Sequence, residues 1–325
     1  VLAGAGSGKT RVITQKIAYL IEQCGYAAHS ISAVTFTNKA ANEMRNRIAS
    51  VLPAATRRGL KVATFHTLGL SILKRDAAIC GLKRGFSIFD SEDCLNLLRG
   101  FLPTSRASDK DVVYQLQQQI SKWKNDLLSP DDVLRRTADT DLYAEAASIY
   151  PQYQQSLQAY NAVDFDDLIR LPVRLLHENS HCLEYWQNKI RHLLIDEYQD
   201  SNICQYTLVK LLVGTRAGFT VVGDDDQSIY AWRGARPENL AQLQIDYPQL
   251  KIIKLEQNYR STARILNAAN QLISNNPHLF TKTLWSELGH GDLIRVVCCR
   301  DEQDEADQVV ADLISNKLST SHQLW

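Results

Sequence analysis

The run Gly4-Ala5-Gly6-Ser7-Gly8 places five small residues ahead of Lys9 and Thr10. Small side chains let backbone N–H groups turn inward around an anion. Lys9 then reaches the β- and γ-phosphates of a nucleotide, and the Thr10 hydroxyl is suited to ligating Mg²⁺. The stretch TRVITQKIAYLIEQC, from Thr10 on, has a helical pattern, so the positive end of a helix faces the same anion. The strict pattern G-x-x-x-x-G-K-[ST] asks for Gly at position 3, where this chain has Ala3. A glycine-rich turn at a helix start would share these features without binding phosphate.

LLIDEYQD (193–200) supplies the partners such a loop needs. Asp196 ends a hydrophobic run, where it can hold Mg²⁺, and Glu197 can position and deprotonate a water. Alone, the pair would read as a solvated acidic turn; beside a lysine loop it reads as that loop's complement. HENSH (177–181) matches the zinc-protease pattern H-E-x-x-H, with His177 and His181 as ligands and Glu178 as base. That chemistry needs one continuous helix through the motif. Asn179 and Ser180 are poor helix formers, Leu175–Leu176 reads as a last turn, and no obvious third ligand follows at useful spacing. A helix-end loop is the expectation.

These groups must be carried by strands. ISAVTFT (31–37), KVATFHT (61–67), HLLIDE (192–197), FTVVGDD (219–225) and KIIKLEQ (251–257) are short apolar runs of the kind buried in parallel sheets. Helical patterns alternate with them, which predicts an α/β domain. From about 86 to 185 the chain turns rich in Gln, Leu, Ala, Asp and Tyr. DVVYQLQQQISKWKNDLL and LYAEAASIYPQYQQSLQAY read as amphipathic helices broken near Pro130 and Pro151, a helical insertion between two strands of one sheet. Beyond 258 a helix (TARILNAANQLI), a strand (DLIRVVCC) and an acidic helix (EQDEADQVVADLI) begin another α/β unit. The expected division is 1–88 and 181–257 for one domain, 89–180 for the insertion and 258–325 for a partial second domain.

AGAGSGKT, AVTFTNKAA (33–41), TFHTLG (64–69), DEYQD (196–200), VVGDDDQSIYAWRGA (221–235) and LEQNYRS (255–261) resemble, in order, the motifs of the UvrD/Rep/PcrA family of superfamily 1 helicases. That family's loop starts with Ala, which accounts for Ala3. The resemblance implies two RecA-like domains, ATP and Mg²⁺ as cofactors, and a motor running 3′ to 5′ on single-stranded DNA and 3′-tailed duplexes. It implies a bacterial cytoplasmic protein working with replication or repair partners. It also implies phosphate and Mg²⁺ binding by Lys9 and Thr10, Mg²⁺ binding by Asp196, water activation by Glu197 and γ-phosphate sensing by Gln227. Arg260 would be an arginine finger, and Arg11 and Tyr259 would sandwich adenine. The family's adenine-reading glutamine segment and its later motifs are not in these residues, so the chain is expected to be a piece of a longer protein.

Phe36, Tyr230 and Trp232 fall in loops at strand ends, where rings can stack on bases at about 1–3 kcal/mol per base. Thr37, Asn38, Thr64 and His66 offer small polar contacts to a DNA backbone, while Phe65 is expected in the core. A local groove is required, because 36 Lys+Arg balance 36 Asp+Glu and bulk attraction for DNA is nil. No apolar window approaches a membrane span, and no leader is visible. Seven irregularly spaced cysteines point to free thiols in a reducing compartment. A P-loop enzyme for a small molecule, such as a kinase, and a non-catalytic DNA-binding fragment are the alternatives; the SIYAWRG loop and QNYR arginine weigh against the kinase.

Overall fold

Strands and helices alternate as the apolar runs predict. In a computed structural model, residues 1–136, 140–216 and 218–319 are described. The strands are β1 (Leu2–Ala3), β2 (Ile31–Thr35), β3 (Lys61–Thr64), β4 (Ser87–Ile88), β5 (Ala162–Val163), β6 (His192–Ile195), β7 (Phe219–Val221) and β8 (Lys254–Leu255). The helices of the first half are α1 (Lys9–Glu22), α2 (Asn38–Val51), α3 (Phe65–Asp76), α4 (Ser91–Arg99), α5 (Thr104–Ala107), α6 (Lys110–Asn125), α7 (Pro130–Leu134) and α8 (Asp141–Ala159). Those of the second half are α9 (Asp167–Glu178), α10 (Ser180–Lys189), α11 (Ile203–Val213), α12 (Glu238–Asp246), α13 (Ala263–Ile273) and α14 (Glu302–Ser319).

β3, β2, β6 and β7 form a parallel sheet in that order. β1 pairs in parallel with β8. A bridge from Leu2 to Gly223 joins that pair to the end of β7, closed by Ala3 N–H to Gly223 O (3.0 Å) and Gly223 N–H to Val1 O (3.1 Å). The phosphate-loop strand therefore lies inside the sheet. Successive side chains leave a strand on opposite faces, and the core divides accordingly. Ile31, Ala33 and Leu194 pack with Ile13 and Ile17 of α1 and Met44 and Ile48 of α2. Val34, Leu193 and Ile195 face Ile72 of α3, Leu176 of α9, Trp186 of α10 and Leu208 of α11.

A second core, with Leu98, Leu116, Trp123, Tyr150 and Leu157, belongs to α4, α6 and α8. It draws on residues 94 to 162, whereas α9 and α10 pack into the sheet's core. The independent helical layer is thus narrower than 89–180. A buried ionic joint roots it: Lys124 Nζ of α6 lies 2.5 Å from Asp164 and 3.0 Å from Asp167, and Arg170 binds Asp167 at 2.9 Å.

Several expected boundaries move. KVATFHT is strand only to Thr64, because the Thr64 hydroxyl accepts the Thr67 N–H (3.2 Å) and starts α3. KIIKLEQ is strand only at Lys254–Leu255, since its partner β1 has two residues. Pro130 opens α7 at the position where a missing N–H costs nothing. Pro151 does not break α8, whose buried stripe (Ala146, Ile149, Tyr150, Tyr153, Leu157) holds the helix through it. DLIRVVCC forms no strand: Leu293 and Val296 are 78% and 82% exposed, and among the described residues nothing pairs with them. Residues 320–325 of the expected second domain lie outside the described residues.

Candidate active site

The candidate side chains lie at or after the carboxyl ends of parallel strands, where open α/β sheets bind ligands. After β1 the chain turns through Gly6 (φ +74°) and Gly8 (φ +89°), left-handed positions that favour glycine. A Cβ at Gly6 would also stand 2.6 Å from the Asn258 amide nitrogen. That closeness comes with two hydrogen bonds: Asn258 donates to Ala5 O (2.5 Å) and the Tyr259 N–H donates to Gly6 O (3.0 Å). Asn258 Oδ1 in turn accepts the N–H groups of Arg260 (2.8 Å) and Ser261 (2.7 Å). The tail of β8 is stitched to the loop, which puts the exposed Arg260 beside Gly6.

Lys9 opens α1 and is nearly buried. Its ammonium donates to Gln227 Oε1 (2.8 Å) and lies 3.6 Å from Glu197 Oε2. The Thr10 hydroxyl donates to Asp196 Oδ2 (3.4 Å). Glu197 has φ +49°, uncommon for a residue with a side chain. This kink at the end of β6 lets consecutive carboxylates serve one site, although an extended strand would send them to opposite faces. Burial, then the neighbouring Glu197 charge, pushes the Asp196 carboxyl up to about 6. The same two causes raise Asp200 to about 6. A carboxyl so placed gains from a cation. Ser7 Oγ is buried with no hydrogen-bond partner, and open space faces Gly8. An orphan hydroxyl, unfilled space, a lysine and a hydroxyl–carboxylate pair suit a phosphate with a hard divalent cation.

Gln199 escaped the sequence reading. Its amide donates to Glu197 Oε2 (3.0 Å) and accepts from the Asp224 N–H (3.0 Å), bridging the loops after β6 and β7. Arg11 and Tyr259 are both exposed, and among the described residues no cation–π contact joins them.

Beyond Lys9 and Thr10 the sheet edge is aromatic. Phe36 is half-buried, edge-on to Phe65 at 5.4 Å between centroids, and Phe65 is core. Trp232 is 71% exposed, with the Arg233 guanidinium 5.2 Å from its ring centre and Tyr230 at 6.4 Å. Asn38 is exposed in the first turn of α2. Thr37 and Thr64 use their hydroxyls to cap α2 and α3; Thr64 is buried and His66 half-buried. Burial, then the Arg233 charge, lowers the His66 pKa. Exposed Phe165 meets His66 edge-on at 6.0 Å. It was missed because β5 is too short to show a strand pattern; an aromatic two residues past that strand was the available signal. HENSH is split: α9 ends at Glu178, and Asn179 caps α10 by accepting the Cys182 N–H (3.0 Å). Among the described residues no metal-like cluster includes His177 or His181.

Residues 1–248 match the family model for the UvrD/REP helicase N-terminal domain. The chain belongs to the UvrD/REP helicase family. Residues 253–324 match the UvrD-like helicase C-terminal domain. Among its relatives, "ATP-dependent DNA helicase Rep" of Escherichia coli (strain K12) is 56% identical over 97% of this chain and 47% of the relative. The Rep of Salmonella typhimurium is 55% identical over the same shares. "ATP-dependent DNA helicase PcrA" of Staphylococcus epidermidis is 41% identical over 98% of the chain and 44% of the relative. The chain spans about half the length of these curated relatives. Among the described residues no helix is long and apolar enough to cross a membrane.

Proposed function

We propose that this chain carries the nucleotide site and part of the DNA face of an ATP-dependent, Rep-like DNA helicase that moves 3′ to 5′ on single-stranded DNA in the bacterial cytoplasm. The observation that carries the reading is the convergence of Lys9, Gln227, Glu197, Thr10 and Asp196 at one end of the sheet. Lys9 exchanges its bond to Gln227 for nucleotide phosphate oxygens. Thr10 and Asp196 are the residues that would hold Mg²⁺, which supplies charge neutralisation to those oxygens. Glu197, oriented by Gln199, positions the attacking water and takes its proton. Arg260, fixed to the loop through Asn258, offers its charge to the phosphoryl group being transferred. Gly4 to Gly8 cradle phosphate with backbone N–H groups, and Arg11 and Tyr259 close on adenine when nucleotide is present.

Phe36, Phe165, Tyr230 and Trp232 form the stacking surface, with Asn38 and His66 as polar contacts and Thr37 and Thr64 setting the backbone under them. Stacking needs no net charge and no base sequence, so a neutral chain binds DNA here. Residues 1–88 with 163–257 act as one wall of a motor, the helical layer is inserted in it, and 258–325 begin the second wall. Replication or repair proteins are the partners in which such a motor would work. In the full-length protein, Lys9→Ala is expected to abolish ATP turnover. Glu197→Gln should retain nucleotide binding while losing hydrolysis by at least about a hundredfold. Normal hydrolysis by Glu197→Gln removes Glu197 as base. ATPase activity indifferent to single-stranded DNA points to a small-molecule enzyme, and strand displacement only on 5′-tailed duplexes reverses the polarity.

A further inference from the structure

Asp224, Asp225 and Asp226 are three adjacent carboxylates that the fold covers. The Lys282 ammonium lies 2.9 Å from Asp224, 2.5 Å from Asp225 and 2.7 Å from Asp226. Its ammonium sits among three carboxylates, hydrogen-bonded to Asp225 (2.5 Å) and within ion-pair distance of the other two, and its side chain is only 5% exposed. Around it, Asp225 accepts the N–H groups of Leu279 (3.1 Å) and Phe280 (3.3 Å). His278 Nδ1 lies 2.9 Å from Asp226. Burial opposes the charge on Lys282, but the three carboxylates around it outweigh that and raise its pKa.

The clasp bears directly on the nucleotide site. Asp224 accepts from the Gln227 Nε2 amide, while Gln227 Oε1 accepts from Lys9. A carboxylate can only accept and an ammonium can only donate, so these two partners fix which way the Gln227 amide faces. We propose that Lys282 is a positioning residue for hydrolysis: by gathering Asp224, Asp225 and Asp226 it holds Gln227 toward Lys9 and ties the segment matched by the C-terminal family model to the phosphate loop. Without its ammonium, three adjacent carboxylates repel and the loop bearing Gln227 loses its anchor. The inference rests on the helicase reading for its kinetic consequence, but the clasp itself is measurable without activity.

The test uses the full-length protein with Lys282→Met, which keeps the side chain's length and removes its charge. The expected result is a kcat for ATP lowered about tenfold, with KM changed less than about threefold, because the phosphate loop is untouched. Gln227→Ala should then cost little more in the Lys282→Met background than Lys282→Met alone. Lys282→Arg should recover part of the rate. Amide hydrogen exchange of residues 223–228, measured without nucleotide or DNA, should quicken about tenfold. If Lys282→Met does not fold, adding Asp225→Asn relieves the repulsion without touching Gln227, and the same measurements apply. Wild-type kcat, full additivity with Gln227→Ala, or unchanged exchange at 223–228 overturns the proposal. A wild-type protein without DNA-stimulated ATPase defeats the helicase reading, and the exchange measurement still decides the clasp.

Discussion

Asp196 shows how a single buried carboxylate can be destabilising in the ligand-free protein. Its carboxyl is raised to about 6, by burial first and by Glu197 second, above the ordinary value of about 3.9 for an unfolded Asp. The fold therefore favours the protonated form. Its stabilising contribution is full below about pH 4 and is lost as pH rises toward about 6. Asp196→Asn should then make the ligand-free protein more stable by about 2 kcal/mol at pH 7.5, with the gap closing at pH 4. Thermal denaturation at the two pH values checks this, and a less stable Asn variant at pH 7.5 would contradict it. Trp232 is the opposite case, a large ring held in solvent. Trp232→Ala should leave folding and basal ATPase nearly unchanged and weaken single-stranded DNA binding by about 1–3 kcal/mol, read by fluorescence anisotropy.

Helix α3 has to run close to α9 to place Thr64 and His66 at the sheet edge. Gly69 makes that approach possible: a Cβ there would lie 1.8 Å from the Leu168 carbonyl oxygen. The neighbour is backbone, so the helices must part. Gly69→Ala is expected to destabilise the protein by about 1–3 kcal/mol, a loss that urea denaturation would register. A neutral outcome would mean that α3 and α9 shift freely. The same dependence on packing carries α8 through Pro151, against a local cost of about 3 kcal/mol.

The helical layer meets the sheet-bearing body through buried charge. Lys124 is fully buried between Asp164 and Asp167, and Tyr153 OH donates to Asp164 at 2.9 Å. A buried pair is weak evidence for stability, but removing one partner strands the others. Lys124→Met should cost about 3–5 kcal/mol, and adding Asp164→Asn with Asp167→Asn should recover much of it. Denaturation of the single and triple variants distinguishes a stranded charge from a lost packing volume, since only the former is relieved by neutralising the aspartates. Asn202 donating to Asn125 at 2.7 Å and Arg236 paired with Asp126 at 2.9 Å extend the joint toward the aromatic loop. The orientation of the layer and the position of Trp232 are thus set by connected contacts.

Local patterns determined much of this molecule. Short continuous apolar runs specified β2 and β6 as strands buried on both faces. The glycine loop with Lys9 and Thr10, the Asp196–Glu197 pair and the order of six motifs were legible for a similar reason: their chemistry is written in adjacent residues. Long-range pairing was not. Lys9 meets Gln227 across 218 residues only because β1 enters the sheet between β7 and β8. Asp196 is driven toward neutrality by its buried surroundings, which no neighbour in sequence reveals. The stretch 292–299 has the residues of a strand but, among the described residues, no partner to pair with, and it is irregular. The cation beside Asp224, Asp225 and Asp226 was not legible, because Lys282 comes from another part of the chain. Sequence sets what each segment is able to do; the register of the sheet and the helices packed on it decide which of those groups meet.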